Sequence, residues 1–264
     1  MTPPLFDLHC GSIPLLVSIP HLGTRLPAEI RAHVAPVAES LADTDWHLDR
    51  LYDFAKAMGA SFLGATVSRY AIDLNRPPGG ESLYPGMTTT GLCPTETFRG
   101  EPLHLEGGAP DPAEIERRRE HYWQPYHDAL AAELERLRAA HGQVLLWEAH
   151  SIASVLPRLF EGKLPDLNFG TNAGASCAAP ILQAALDAIG NAAPGLTQAV
   201  NGRFKGGYIT RHYGRPTQGI HAIQLEMCQC LYMNEAPPFD YRPELAERLR
   251  PALEQMLRAA VARL

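Results

Sequence analysis

Short runs of consecutive apolar residues recur along the chain and constrain the fold more than any other feature. Because these runs do not alternate apolar with polar residues, each predicts a strand that is buried on both faces. The predicted strands are 14–21, 61–76, 143–151 and 219–233. Stretches with apolar residues at helical spacing predict helices at 44–60, 112–142, 177–190 and 244–264. Strands that alternate with helices predict an α/β fold, in which one central sheet is covered by helices on both faces.

Size, charge and cysteine content narrow the class of protein further. The 264 residues are 45% hydrophobic, which is enough for one large domain spanning residues 1–264. The formal net charge is −6 and no long basic run occurs, so neither nucleic acid nor a membrane is an expected partner. The N-terminus lacks the pattern of a signal peptide, and no apolar run has the length of a membrane span. Five cysteines without a Cys-x-x-Cys pair predict free thiols in a reducing cytoplasm.

Two segments are predicted to be loops that contact a ligand. Residues 77–112 are rich in proline, glycine and threonine, and an irregular segment of this length is typical of a lid or a binding loop. Residues 195–216 are rich in glycine and have strand character in their middle. Arg203 and Arg211 stand beside these glycines, whose conformational freedom would let the backbone approach a small ligand.

Polar side chains close or interrupt the predicted strands. The first strand ends at His21, the second at Arg76, and the third at Glu148 and His150. Glu226 lies inside the apolar fourth strand, where an ionised carboxylate is costly unless it faces a polar cavity or pairs with a cation. Ligands of α/β sheets bind at the strand ends, so these side chains form the candidate site.

Two histidines and a carboxylate predict a metal site. Imidazole nitrogens and carboxylate oxygens are the ligands of many catalytic zinc ions, which keep one position open for water. His21, Asp45 and His150 are the candidate ligands here. A further carboxylate is needed to move the proton of that water, and Glu226 is the candidate.

The second ligand has more than one candidate. Asp43 and His47 lie close to Asp45 near the start of a predicted helix. A carboxylate at this position can also do no more than stabilise the first turn of the helix. The residues alone therefore predict a hydrolase-like α/β domain with a candidate metal site.

Longer motifs, spread over nearly the whole chain, carry a family resemblance. They are SIPHLGTRLP (18–27), DTDWHLDRLYDFAKAMGA (43–60), SRYAIDLNRPPGGESLYPG (68–86), TGLCPTETFRGEPLH (90–104), LLWEAHS (145–151), NFGTNAGASC (168–177), NGRFKGGYITRHYGRP (201–216) and HAIQLEMCQCLYM (221–233). In this order they resemble the N-formylglutamate amidohydrolase family, and within it the deformylases of histidine breakdown. The resemblance implies a single α/β domain with a mixed sheet, related in fold to zinc carboxypeptidases and to acylases of N-acyl aspartate and glutamate. It also implies one zinc ion and the hydrolysis of N-formyl-L-glutamate to formate and L-glutamate.

The resemblance further implies roles for individual residues. The carboxypeptidase relatives begin their ligand set with His-x-x-Glu, whereas the match here is His21-Leu-Gly-Thr24. The second ligand is therefore expected at Asp45, with His47 or Asp43 as alternatives. His150 corresponds to the third ligand and Glu226 to the proton-transfer glutamate.

The expected substrate contacts are also implied by the resemblance. The relatives grip a substrate carboxylate with an Asn-Arg pair, which corresponds to Asn75 and Arg76. N-formylglutamate carries two carboxylates, so a second arginine is expected among Arg69, Arg203 and Arg211. Arg69 is in addition the candidate for stabilising the charge of the tetrahedral intermediate.

Three other functions remain compatible with the sequence. The chain could be a related zinc amidohydrolase that acts on another N-acyl amino acid, or a non-catalytic member of the fold that binds carboxylates. A serine or cysteine hydrolase built on Ser151 or Cys93 is disfavoured, because no Gly-x-Ser-x-Gly nucleophile motif occurs.

Overall fold

The computed structural model describes residues 3–83, 86 and 88–264 and contains one seven-stranded mixed sheet. Its strands are β1 (Phe6–His9), β2 (Leu15–Ile19), β3 (Ser61–Ala65), β4 (Val144–Ile152), β5 (Leu167–Gly170), β6 (Gln198–Val200) and β7 (Ile220–Cys228). Their order across the sheet is β1-β3-β2-β4-β7-β5-β6. The central strands β3, β2, β4 and β7 are parallel, whereas β1 and β5 run antiparallel to their neighbours β3 and β7. The predicted α/β class with a mixed central sheet is confirmed.

Helices cover both faces of this sheet, because the central strands are apolar on both sides. The helices are α1 (Ala28–Arg31), α2 (Leu48–Leu51), α3 (Phe54–Ala57), α4 (Pro112–Arg118), α5 (Gln124–His141), α6 (Ala179–Ala192), α7 (Tyr208–Tyr213) and α8 (Pro243–Val261). Leu15 and Val17 of β2 pack into the core formed with α6 and α8, whereas Leu16 packs into the core formed with α5. A single strand therefore contributes to both hydrophobic layers.

Two of the predicted elements are shorter than expected. The predicted strand 61–76 is wrong beyond Ala65, since residues 66–76 form turns and isolated bridges. In this segment Asp73 accepts hydrogen bonds from Arg69 and from the backbone of Asn75, so its polar groups are satisfied without a strand ladder. The predicted helix 44–60 is reduced to the short helices α2 and α3.

The long predicted helix at 112–142 is continuous but not uniform. A π-helical turn at Arg119–Trp123 separates α4 from α5, and Pro125 lies in the first turn of α5. Proline has no backbone N–H and disrupts the helical hydrogen bonds preceding it, which accounts for the irregularity at this point.

Differences also occur around the glycine-rich segment. The strand character predicted in the middle of residues 195–216 is wrong, because those residues form helix α7 after the short strand β6. The strand predicted at 219–233 ends at Cys228, and the chain continues as a 3-10 helix at Gln229–Leu231. In the segment 77–112 the described residues before Pro112 contain no named helix or strand, and Tyr84, Pro85 and Met87 lie outside the described residues.

All five cysteines are free thiols. Within the described part of the chain, no helix combines the length and the apolar character needed to cross a bilayer.

Removal of a large side chain from the α6–α8 layer is expected to destabilise the protein. Leu253 of α8 is fully buried in that core. Leu253→Ala should lower the free energy of unfolding by about 2–5 kcal/mol, because it removes apolar contacts and leaves a cavity. Urea denaturation measures this change, and the exposed Glu247→Ala on the same helix should stay within about 0.5 kcal/mol of wild type. Equal effects of the two substitutions would contradict the assigned burial.

Candidate active site

The polar side chains of the site project from one face of the sheet at the carboxyl ends of its central strands. Because side chains alternate along a strand, Glu148 and His150 of β4 share one face, as do Gln224 and Glu226 of β7. The parallel register places His150 beside Glu226 and Glu148 beside Gln224. His21 follows the neighbouring strand β2 within two residues of its end. The chain thus brings polar residues from three adjacent strands to one place.

His21, Asp45 and His150 form a buried group whose ligand atoms lie within 4.8 Å of one another. Asp45 is held at the site because its backbone N–H donates to the carbonyl of His21 at 3.0 Å. One carboxylate oxygen, Asp45 Oδ2, lies 2.8 Å from His150 Nδ1 and 3.7 Å from His21 Nδ1. Two imidazole nitrogens and a carboxylate oxygen facing one point fit a zinc-like divalent ion.

Each imidazole ring also contacts a further carboxylate through its other nitrogen, Nε2. His21 Nε2 lies 2.7 Å from Asp73 Oδ1, and His150 Nε2 lies 2.8 Å from Glu148 Oε1. A carboxylate that accepts from Nε2–H would leave the Nδ1 lone pair for a bound metal ion, and such partners orient the histidines of metal sites. This explains why both rings turn Nδ1 toward Asp45.

Asp73 is a site residue that the sequence reasoning missed. It is fully buried, and burial opposes its ionisation, but the charges of His21, Arg69 and Arg76 hold its pKa well below the usual range. Arg69 donates one hydrogen bond to Asp73 Oδ2 at 2.7 Å and approaches His21 Nδ1 to 3.1 Å. The available signal was a carboxylate inside an apolar run, which is the same argument that singled out Glu226.

The two alternative second ligands lie outside the ligand group. The His47 ring donates from Nε2 to the carbonyl of Phe239 at 2.7 Å. The Asp43 carboxylate accepts from the backbone N–H of Phe98 at 2.8 Å. Burial raises the pKa of Asp43, partly offset by Arg69. Of the three candidates, only Asp45 has a carboxylate that faces both histidines.

The carboxylates of the site differ in their protonation. Burial opposes ionisation of Asp45, but its hydrogen bond with His150 and the nearby ring of His21 prevail and lower its pKa to about 2. For His150, burial favours the neutral ring, but Asp45 and Glu148 together raise its pKa well above the usual value. Burial raises the pKa of Glu226 to about 8, since the attraction of His150 is offset by the negative charge of Asp45. Among residues 3–83, 86 and 88–264, no hydrogen bond reaches the Glu226 carboxylate.

A cleft opens over these residues. Arg69, Arg76 and Arg203 line it, together with Asn75 and Glu226. Arg76 donates from Nε to the carbonyl of Thr90 at 2.8 Å, which fixes one edge of its guanidinium. The cleft therefore presents three cationic side chains near a candidate metal group.

Arg211 is not brought into the cleft lining. Its Nε donates to the carbonyl of Gly206 at 2.8 Å, within the glycine-rich segment. Arg203, from the same segment, does line the cleft and donates from Nε to the carbonyl of Leu159 at 3.1 Å.

The first turn of α7 orients several of these groups. Asn75 Oδ1 accepts from the backbone N–H of Ile209 at 2.9 Å, so its amide nitrogen is the atom that faces the site. Gln224 Oε1 accepts from the N–H of Gly207 at 2.7 Å. A Cβ at Gly207 would lie 2.3 Å from Asn75 Nδ2, so glycine is needed for this close approach.

Comparisons with known proteins point to one family. A family model described as N-formylglutamate amidohydrolase matches residues 13–233. A Pseudomonas aeruginosa protein named N-formylglutamate deformylase is 53% identical over 252 residues, which cover 96% of this chain and 94% of that protein. A Pseudomonas putida protein of the same name is 51% identical over 258 residues, which cover 98% and 96% respectively.

Solved structures agree on the fold. A crystal structure of N-formylglutamate amidohydrolase from Ralstonia eutropha JMP134 has a TM-score of 0.79 at 27% identity and covers 98% of each chain. A protein structure from Agrobacterium tumefaciens has a TM-score of 0.73 at 19% identity, covering 98% of this chain and 96% of its own. The architecture described above is therefore shared over the whole length of the chain.

Proposed function

Because the chain belongs to the N-formylglutamate amidohydrolase family, we propose that it hydrolyses N-formyl-L-glutamate to formate and L-glutamate, the last step of a histidine degradation route. The observation that carries this proposal is the identity of more than half the residues with proteins named N-formylglutamate deformylase over nearly the full chain. A cleft that combines a candidate metal group, a buried glutamate and several arginines suits an amide substrate with two carboxylates.

The proposed cofactor is one zinc ion held by His21, Asp45 and His150. The donor set of two Nδ1 atoms and a carboxylate oxygen supports this assignment, as does the burial of all three residues. Zinc at such a site supplies a Lewis acid for the formyl carbonyl and a water of lowered pKa.

Glu226 is proposed as the residue that moves protons. It lies beside His150 in the paired strands, and burial shifts its pKa from the usual carboxyl range toward neutral pH, where a group that accepts and returns a proton is most effective. Glu226 would take the proton of the attacking water and deliver it to the amine of the departing glutamate. Arg69 lies next to His21 and would stabilise the negative charge that develops on the formyl oxygen.

Asn75, Arg76 and Arg203 are proposed to bind the two substrate carboxylates. The amide of Asn75 is oriented as a donor, and one edge of the Arg76 guanidinium is fixed by Thr90. Donors with fixed positions align the formyl group with the catalytic residues. This alignment lowers the activation barrier of the reaction. We prefer Arg203 over Arg211 for the second carboxylate because Arg203 lines the cleft.

A single domain, a lid and a cellular location complete the proposed function. Residues 1–264 would act as one catalytic domain. Segment 77–112 would act as a lid over the cleft, because four of its residues line that cleft, namely Thr88, Thr89, Thr90 and Phe98. A cytoplasmic location agrees with the five free thiols.

Formate release tests the substrate and the metal together. The purified protein should release formate from N-formyl-L-glutamate, lose this activity on chelation, and regain it with added Zn²⁺. A parallel panel of N-acetyl-L-glutamate and N-formyl-L-aspartate should be turned over far more slowly. Equal turnover of another N-acyl amino acid would reassign the substrate, and activity that survives complete metal removal would overturn the proposed chemistry.

A further inference from the structure

We propose that Glu148 and Thr210 act as positioning residues that keep the Nδ1 atom of His150 directed at the metal. This inference rests on the metal site of the proposed function and assigns roles to two side chains outside its ligand set. Glu148 would hold the His150 ring, and Thr210 would hold Glu148.

Glu148 is placed for this role by the strand that carries it. Glu148 and His150 are two residues apart on β4 and project from the same face, so their side chains lie next to each other. Glu148 Oε1 lies 2.8 Å from His150 Nε2, the ring nitrogen that faces away from Asp45, and is the acceptor there, while Asn75 Nδ2 lies 3.1 Å from the same nitrogen. Glu148 is 0% exposed, and a carboxylate so deeply buried is retained only with strong hydrogen-bond partners.

Thr210 supplies two donors to the other carboxylate oxygen. Its backbone N–H donates to Glu148 Oε2 at 3.0 Å, and its hydroxyl donates to the same oxygen. Thr210 lies in α7 and is itself fully buried. One oxygen of Glu148 thus serves the histidine and the other serves α7, which leaves the carboxylate a single orientation.

Both side-chain oxygens of residue 148 must accept hydrogen bonds, one from His150 and the other from Thr210. Only a carboxylate can accept on both sides. With glutamine at position 148, an oxygen facing His150 would turn the amide NH₂ toward both donors of Thr210. An oxygen facing Thr210 would instead turn the NH₂ toward His150 Nε2. In that orientation Nε2 would lose the carboxylate that accepts its proton, and with it the bond that leaves Nδ1 for the metal.

The test is the affinity of the purified protein for Zn²⁺, measured by competition with a chromophoric chelator. Glu148→Gln should raise the Kd for Zn²⁺ by about 10–100-fold, as loss of an outer partner of a metal ligand typically does. Thr210→Val should raise the Kd by a smaller factor, because the backbone N–H remains. Thr210→Ser should restore the wild-type Kd, since it returns the hydroxyl.

Glu133→Gln is the matched control. Glu133 is also a buried glutamate with charged and hydroxyl partners, Arg136 and Ser61, but it lies on α5 outside the cleft. Its substitution should leave the Kd for Zn²⁺ unchanged, which separates a metal-directed role from general destabilisation.

The outcomes distinguish this inference from the proposed function. If wild type binds Zn²⁺ and releases formate, but Glu148→Gln matches its Kd, the positioning role is wrong while the function stands. Equal Kd values for Thr210→Val and Thr210→Ser would overturn the role of the hydroxyl even if Glu148→Gln does not fold. If wild type itself binds no Zn²⁺, the metal site of the proposed function fails, and the inference fails with it.

Discussion

Glu226→Gln is expected to lower kcat for N-formyl-L-glutamate by about 10²–10⁴-fold, the usual contribution of a positioned general acid–base. The amide is nearly the same size as the carboxylate but can neither accept the proton of the attacking water nor return it to the amine. Glu226 contributes no atom to the ligand group of His21, Asp45 and His150, so bound zinc should remain at one equivalent. KM should change much less than kcat, because the arginines of the cleft are untouched.

Three measurements are needed to interpret the effect of Glu226→Gln. Formate release gives kcat and KM, elemental analysis gives zinc content, and circular dichroism establishes that the variant is folded. Loss of zinc together with activity would assign Glu226 to the metal rather than to proton transfer. A folded, zinc-loaded variant with kcat near that of wild type would refute the proton-transfer role.

Asp45→Ala is expected to abolish stoichiometric zinc binding and, with it, formate release. The substitution removes the only carboxylate oxygen of the ligand group, which leaves two histidines. The loss of zinc affinity should exceed the 10–100-fold that removal of an outer partner typically costs, because a ligand itself is lost. Zinc content after dialysis measures this directly, and added Zn²⁺ should not restore wild-type turnover.

Asp43 and His47 provide the controls for this experiment, since the sequence alone could not separate them from Asp45. His47→Asn and Asp43→Asn should both keep one equivalent of zinc, because their side chains bond to Phe239 and Phe98 instead. Asparagine is chosen for position 47 because the backbone there has a φ of 61°, which asparagine tolerates well. Loss of zinc in either control, with retention of zinc in Asp45→Ala, would reassign the role of second ligand from Asp45 to the control residue.

Apolar runs and their polar ends single out several of the residues that the structure brings together in the candidate site. Burying a histidine or a glutamate in a strand that is covered on both faces is costly unless the side chain meets a polar environment. His150 and Glu226 were therefore identifiable from the sequence as candidate site residues. The α/β class followed from the same runs. The register that sets His150 beside Glu226 depends on pairing between distant strands, and no local pattern encodes it.

The failures have a common physical origin in long-range hydrogen bonds. Residues 66–76 have strand-like composition, yet Asp73 bonds to the ring of His21, which lies 52 residues earlier, and stabilises a turn-rich path instead. In α7, strand-favouring residues such as Ile209 become helical because Asn75 and Glu148 accept from the first-turn N–H groups. These partners lie far away in the chain, and tertiary contacts of this kind override local propensity.

The positions of the candidate ligands also tie metal binding to folding. His21 and His150 lie on either side of β3, α4 and α5 in the chain, and they meet only when β2 pairs with β4. An unfolded chain therefore offers no preformed site, and zinc would bind the native state preferentially. By mass action, such an ion adds to the free energy of unfolding as its free concentration rises. The zinc supply of a cell would then set the fraction of chains that survive in folded form, in addition to the fraction that is active.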